Sequence, residues 1–113
     1  MPQQNVNREA APAAVVETVA ELGRNIATAR KRRRLREADL AEKAGVSRTT
    51  LRRVEAGALG TGIGAYAAVL WAVGLHGSLT SVADPQRDLE GQTLEASRRG
   101  ERMRPGRGLS DEF

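Results

Sequence analysis

The 113-residue chain contains no cysteine and only one residue each of tryptophan, tyrosine, phenylalanine and histidine. Without cysteine there is no disulfide, no thiolate metal site and no cysteine nucleophile. That usage suits a reducing compartment, so a cytoplasmic location is expected. His76 stands alone after a predicted helix end, where a surface or helix-terminus role is the ordinary one. It has no nucleophile to serve, and a domain this small and alanine-rich has no paired-carboxylate pocket. The chain is therefore not expected to be an enzyme, and no cofactor or metal is expected. With three aromatics in all, the core must be built from Ala, Leu, Val and Ile. Such side chains bury little area each, and dimerisation would help to stabilise so thin a core. No apolar run approaches the roughly 20 residues of a membrane span. The opening MPQQNVNREA lacks a basic segment leading into an apolar one, so neither a membrane partner nor a secretory signal is expected.

Positive charge is present, and unevenly placed. Residues 24–53 carry eleven basic groups against Glu37, Asp39 and Glu42, a net of +8, whereas residues 86–113 balance six arginines against six acids. The positive field belongs to the centre of the chain, and polyanions are its natural partners.

Residues 1–13 are polar and rich in Ala and Pro, and read as a disordered lead-in. Val15, Val19, Leu22, Ile26 and Ala29 follow at helical spacing and predict a helix to about residue 34. Its basic end, residues 30–34, suits the negative pole of the helix dipole and is expected to form a phosphate-contacting edge, with Arg32 as its representative. A second helix is predicted over residues 37–44, stopped by Gly45. A third starts after Ser47, whose hydroxyl is placed to accept from the N–H of Thr49 or Thr50, and ends near Glu55 with Gly57 as terminator. Residues 58–62 form a loop. Gly60, Gly62 and Gly64 lack the preceding strand and following Lys-Ser/Thr of a phosphate-cradling loop. A fourth helix is predicted over residues 63–73, with Ile63, Tyr66, Ala67, Leu70 and Val73 on one side. A last short one is expected from Leu75, Leu79 and Val82, before Asp84-Pro85 breaks the pattern. The reading is an all-α, five-helix domain over residues 14–83, followed by a charged tail, 84–113, that is disordered or ordered by a partner.

Residues 37–56 carry the sharpest signal. Two helices crossing steeply through a short turn need a small residue where they touch, and Ala41 supplies it. The turn needs a residue tolerant of positive φ, and Gly45 supplies that. Leu40, Ala44, Val46, Leu51 and Val54 then face inward. This leaves Ser47, Arg48, Thr49, Arg52 and Arg53 at the amino-terminal end and exposed side of the third helix, the part that enters a major groove. Arginine pairs bidentately with guanine O6 and N7, and threonine offers a hydroxyl or packs on a thymine methyl. The plain alternative is that Arg52 and Arg53 are surface charges paired with Glu55 or Glu42.

On the stretch AEKAGVSRTTLRRVEAG, residues 41–57, the chain resembles the XRE (lambda-repressor/Cro-like) helix-turn-helix family, over roughly residues 22–82. The resemblance implies five helices with the second and third as the motif. It also implies that Arg48, Thr49 and Arg52 read bases while Ser47 and Arg53 touch phosphates. One slot departs from the family: at the start of the second helix, where a phosphate-anchoring Gln is common, this chain has Glu37, preceded by Arg36 in place of Thr. A carboxylate there repels phosphate, and Arg36 is the expected substitute cation.

Residues 69–75 (VLWAVGL), residues 84–88 (DPQRD) and the ending Asp-Glu-Phe are similar to the HipB-type antitoxins. Those are XRE repressors whose partner is a HipA-type serine/threonine kinase toxin. This narrower resemblance implies a homodimer on a double-stranded operator, with Trp71, Leu75 and Leu79 in the dimer contact. It also implies a tail that meets the toxin through Phe113, for which a frayed terminus is the alternative. Two other readings stay open: a protein whose main task is to restrain a protein partner, with weak DNA binding, and a stand-alone XRE regulator without a toxin.

Overall fold

The apolar spacing that begins at Val15 produces a long first helix, α1 (Ala13–Arg32), in a computed structural model that describes residues 9–102. Then follow α2 (Glu37–Ala44), α3 (Arg48–Glu55), α4 (Ile63–Ala72), a 3₁₀ helix (His76–Ser81) and α5 (Leu89–Arg102). Among the described residues there is no strand, and no helix is long and apolar enough to cross a membrane. The chain divides into two compact units between Leu79 and Thr80.

In the first unit α1 packs on α3, and α2 and α4 pack on α3 and on each other. Ile26, Leu40, Leu51, Val54 and Val69 are fully buried at the centre, with Tyr66, Leu70, Ala72 and Val73 around them. Leu40, Ala41, Leu51 and Val54 face inward as predicted, and Ala44 and Val46 lie half-buried against the same core. α4 departs from prediction. Ile63, assigned to its inward side, is 69% exposed, while Val69 and Ala72, assigned to neither face, are buried. The helix reads IGAYAAVLWA, apolar nearly all round, so periodicity has no polar face by which to orient it. The buried Tyr66 hydroxyl donates to the Ala58 carbonyl at 2.8 Å, and burial holds its pKa above the usual value.

The helices stop where the turn chemistry says they should. Gly45 and Gly57 adopt φ of +74° and +72°. After α3, the N–H of Ala58 reaches back to the Arg53 carbonyl and that of Gly57 to Val54, the paired closure that a left-handed residue permits. The end of α1 closes in the same way, but with Arg34 at φ 55°. The helix therefore stops at Arg32, two residues before the predicted end. The segment expected as a last α-helix is the 3₁₀ helix instead. Gly77, Ser78, Thr80 and Ser81 are poor helix formers, and of the three apolar residues only Leu79 packs on the core. Leu75 and Val82 are exposed.

The second unit contains the largest surprise: α5 lies within the charged segment from which no element was predicted. Asp84 opens a turn by accepting from the N–H of Gln86. Asp88 then caps the new helix, its Oδ1 accepting from the N–H of Gly91 at 2.9 Å. Glu95 and Arg99 pair one turn apart. The cap is legible in DLEG, but Gly91 and Gly100 and the lack of an apolar face concealed the helix.

Candidate nucleic-acid interface

The turn between α2 and α3 sets how α3 is presented. Ser47 caps α3: its Oγ accepts from the N–H of Thr50 at 3.0 Å and donates to Thr50 Oγ1 at 3.0 Å. The predicted cap is thus made, to the second of the two candidate donors, and the Ser47 hydroxyl proton is directed to Thr50. Ser47→Ala is expected to cost about 1 kcal/mol of stability, the usual worth of such a cap, read from the midpoint of urea unfolding.

With Leu51 and Val54 pointing into the core, the rest of α3 is turned outward. Arg48, Thr49, Arg52 and Arg53 are all exposed. Arg48 and Arg53 make no ion pair among the described residues, and neither do Lys31, Arg32 and Arg34. Arg52 does make one, with a partner that the sequence did not indicate. Its Nε donates to Glu37 Oε1, 3.0 Å away at the start of α2. The carboxylate that looked misplaced for a phosphate therefore has a cation of its own. Arg36 binds Asp39 through Nε at 3.0 Å. That hydrogen bond holds the Asp39 carboxyl below the ordinary carboxylate range and the Arg36 guanidinium above its own. The pair is complete at neutral pH and is lost only as pH falls through the lowered Asp39 value.

Glu55 pairs with neither Arg52 nor Arg53. It takes Arg30 of α1, in a two-pronged contact of 2.7 Å (Nε–Oε2) and 3.1 Å (Nη2–Oε1), each side chain only 11% exposed. Arg30 also donates to the Leu35 carbonyl at 3.1 Å. The Glu55 hydrogen bond holds the guanidinium above its usual pKa against the opposing effect of burial. Arg30 is thus a strut between the end of α1 and the end of α3, and it does not share the expected basic edge. Two residues further along, and so on the other side of the helix, Arg32 lines a shallow groove with Asn25, Thr28, Arg33 and Leu75. Arg36 stands just before α2, and Arg48, Thr49, Arg52 and Arg53 belong to α3, whereas Arg32 stands on α1 away from its α3-facing side.

Two glycines complete the support of α3. A Cβ on Gly23 of α1 would lie 2.6 Å from the Glu55 carbonyl oxygen and 2.7 Å from the Gly57 nitrogen. One on Gly57 would lie 2.6 Å from the Ala20 Cα. Backbone meets backbone where α1 crosses the end of α3. Apolar periodicity gives Gly23 no role, because what it provides is space for the backbone of another helix.

Of the residues expected at a dimer contact, Trp71 is 55% and Leu75 41% exposed, while Leu79 packs on the core. Phe113 lies outside the described residues.

Comparison with known proteins agrees with this geometry. The family model described as a helix-turn-helix domain matches residues 21–82, from the middle of α1 to just past the 3₁₀ helix. No curated protein and no solved structure matches the chain.

Proposed function

Because the chain belongs to the helix-turn-helix domain family, we propose that it is a sequence-specific DNA-binding transcriptional repressor that acts as a homodimer. The observation that carries this reading is the outward face of α3: four exposed side chains, three of them arginine, on a helix whose other face is locked into the core. In the bound state the amino-terminal part of α3 lies in the major groove. Arg48, Thr49 and Arg52 meet base edges, and Arg53 meets a phosphate. Ser47, its hydroxyl committed to the cap, serves the phosphate contact through the helix terminus that it organises. Arg36 and Arg32 add backbone contacts at the edges of the footprint. A second copy places an equivalent α3 one helical turn along the duplex. The exposed Trp71 and Leu75 supply apolar area for that pairing, with the half-buried Leu79 beside them in sequence.

The division between base and phosphate contacts has a direct test. Arg52→Ala is expected to weaken binding to the preferred duplex by about 1–3 kcal/mol and to relax base preference. Arg32→Ala should weaken every duplex about equally and flatten the salt dependence by about one unit of slope. Fluorescence anisotropy on the preferred and a random duplex, over a salt series, separates them. Equal losses on both duplexes for both variants would contradict the assignment.

The similarity of residues 69–75 and 84–88 to the HipB-type antitoxins extends the proposal. The repressor would be the antitoxin of a two-gene module, and a HipA-type serine/threonine kinase its protein partner, met by the charged tail and Phe113. A kinase-like reading frame beside this one is the expected finding. Its absence would leave a stand-alone regulator. Micromolar, sequence-blind DNA binding would instead favour a protein that mainly restrains a partner.

A further inference from the structure

A carboxylate beside a phosphate-binding surface is a cost to binding unless it does something else there, and Glu37 is placed to do so. It stands at the first position of α2, at the positive end of the helix dipole, where a negative side chain is well placed. Its partner Arg52 lies on the other helix of the motif, fifteen residues on. The two helices are held together by Leu40 and Leu51, both fully buried, so the carboxylate is fixed relative to the recognition helix. The contact engages only the Nε of Arg52. Its Nη1 and Nη2 have no partner among the described residues, and the side chain is 62% exposed. Those two nitrogens include donors that guanine O6 and N7 accept.

We propose that Glu37 is a specificity-determining positioning residue: it grips the Nε of Arg52 and presents the two terminal nitrogens, already oriented, to a guanine in the major groove. This rests on the reading of α3 as the recognition helix. A free arginine samples many rotamers and meets base or phosphate with equal ease. Held by Glu37, it loses less freedom on forming the base contact and is kept from reaching for the backbone. The same negative charge repels phosphates at every sequence, so it lowers the background while sharpening the choice. A surface ion pair of this kind contributes little to stability, and its value lies in this difference between right and wrong sites.

The two effects have opposite signs, and that makes the proposal testable. In Glu37→Gln, affinity for a random duplex should rise by about three- to tenfold as the repulsion is removed. Discrimination between the preferred duplex and one with its contacted guanine replaced should fall by about tenfold. Glu37→Asp, which keeps the charge but shortens the reach, should lose discrimination without the gain on random DNA. In an Arg52→Ala background, Glu37→Gln should no longer alter discrimination. Thermal unfolding of each variant and the Arg52 Nε–H signal in the free protein report on fold and pairing. Undiminished discrimination in Glu37→Gln, with the Nε–H signal altered, would overturn the proposal, as would equal gains on both duplexes. A wild-type protein that prefers no duplex at all would overturn the recognition-helix reading itself, and this proposal with it.

Discussion

Gly57→Ala is expected to lower the stability of the first unit by about 2–5 kcal/mol, seen as a large drop in the midpoint of urea or thermal unfolding. Two costs add at this position. The backbone sits at φ +72°, where an L side chain costs about 1–2 kcal/mol. The new Cβ would also stand 2.6 Å from the Ala20 Cα and 2.8 Å from the Val19 carbonyl oxygen. Those are backbone atoms of α1 and have no rotamer to change, so the helices must move apart, at about 1–3 kcal/mol for an overpacked contact. Against a typical total of about 5–15 kcal/mol, that is a large share. Gly45→Ala is the control: φ is nearly the same at +74°, but nothing lies within 4 Å of the added carbon, so only the backbone cost of about 1–2 kcal/mol applies. Equal losses at the two glycines would show that the α1–α3 crossing is looser than described.

The second large effect is expected at the strut. Arg30→Leu leaves Glu55 charged and only 11% exposed, with its two-pronged partner gone, and should cost about 3 kcal/mol in the same unfolding experiment. Removing both charges together, as Arg30→Leu with Glu55→Leu, should recover much of that loss. The penalty comes from stranding one charge rather than from any great net worth of the pair. Because Arg30 titrates above its already high ordinary value, its guanidinium stays charged through neutral pH and is discharged only in strong alkali. The contrast with Arg32, its near neighbour in sequence, is informative. Arg32→Leu should leave stability almost unchanged, since that side chain is exposed and makes no ion pair among the described residues.

These two positions also mark where the sequence could be read and where it could not. The helix-turn-helix was legible because each of its demands falls on a single residue type at a fixed place. Gly45 makes the left-handed turn, Ser47 the cap, and Leu40, Ala41, Leu51 and Val54 the buried face. The outward face of α3 followed by subtraction, since a helix with Leu51 and Val54 inward has to expose Arg48, Thr49, Arg52 and Arg53. Pairings between helices distant in sequence were not legible. Residues 30–34 look alike in sequence, and only the crossing of α1 over α3 singles out Arg30 for Glu55 and turns Arg32 away. In sequence Glu37 is only an obstacle to phosphate, because its partner lies on the next helix, at a distance set by the turn. α4 defeated the periodicity argument by being apolar on every side. α5 was missed because a capped helix with no buried residue offers no apolar stripe, only the Asp88 cap and the pairing of Glu95 with Arg99.

The central claim, that α3 reads DNA sequence, is tested most directly by selecting binding sites from a random duplex pool with the full chain, followed by anisotropy on the winner. The expected result is an enriched inverted repeat, with guanine-containing half-sites about one helical turn apart and at least about 10³-fold preference over random DNA at physiological salt. A pool that stays unenriched while binding persists would contradict it.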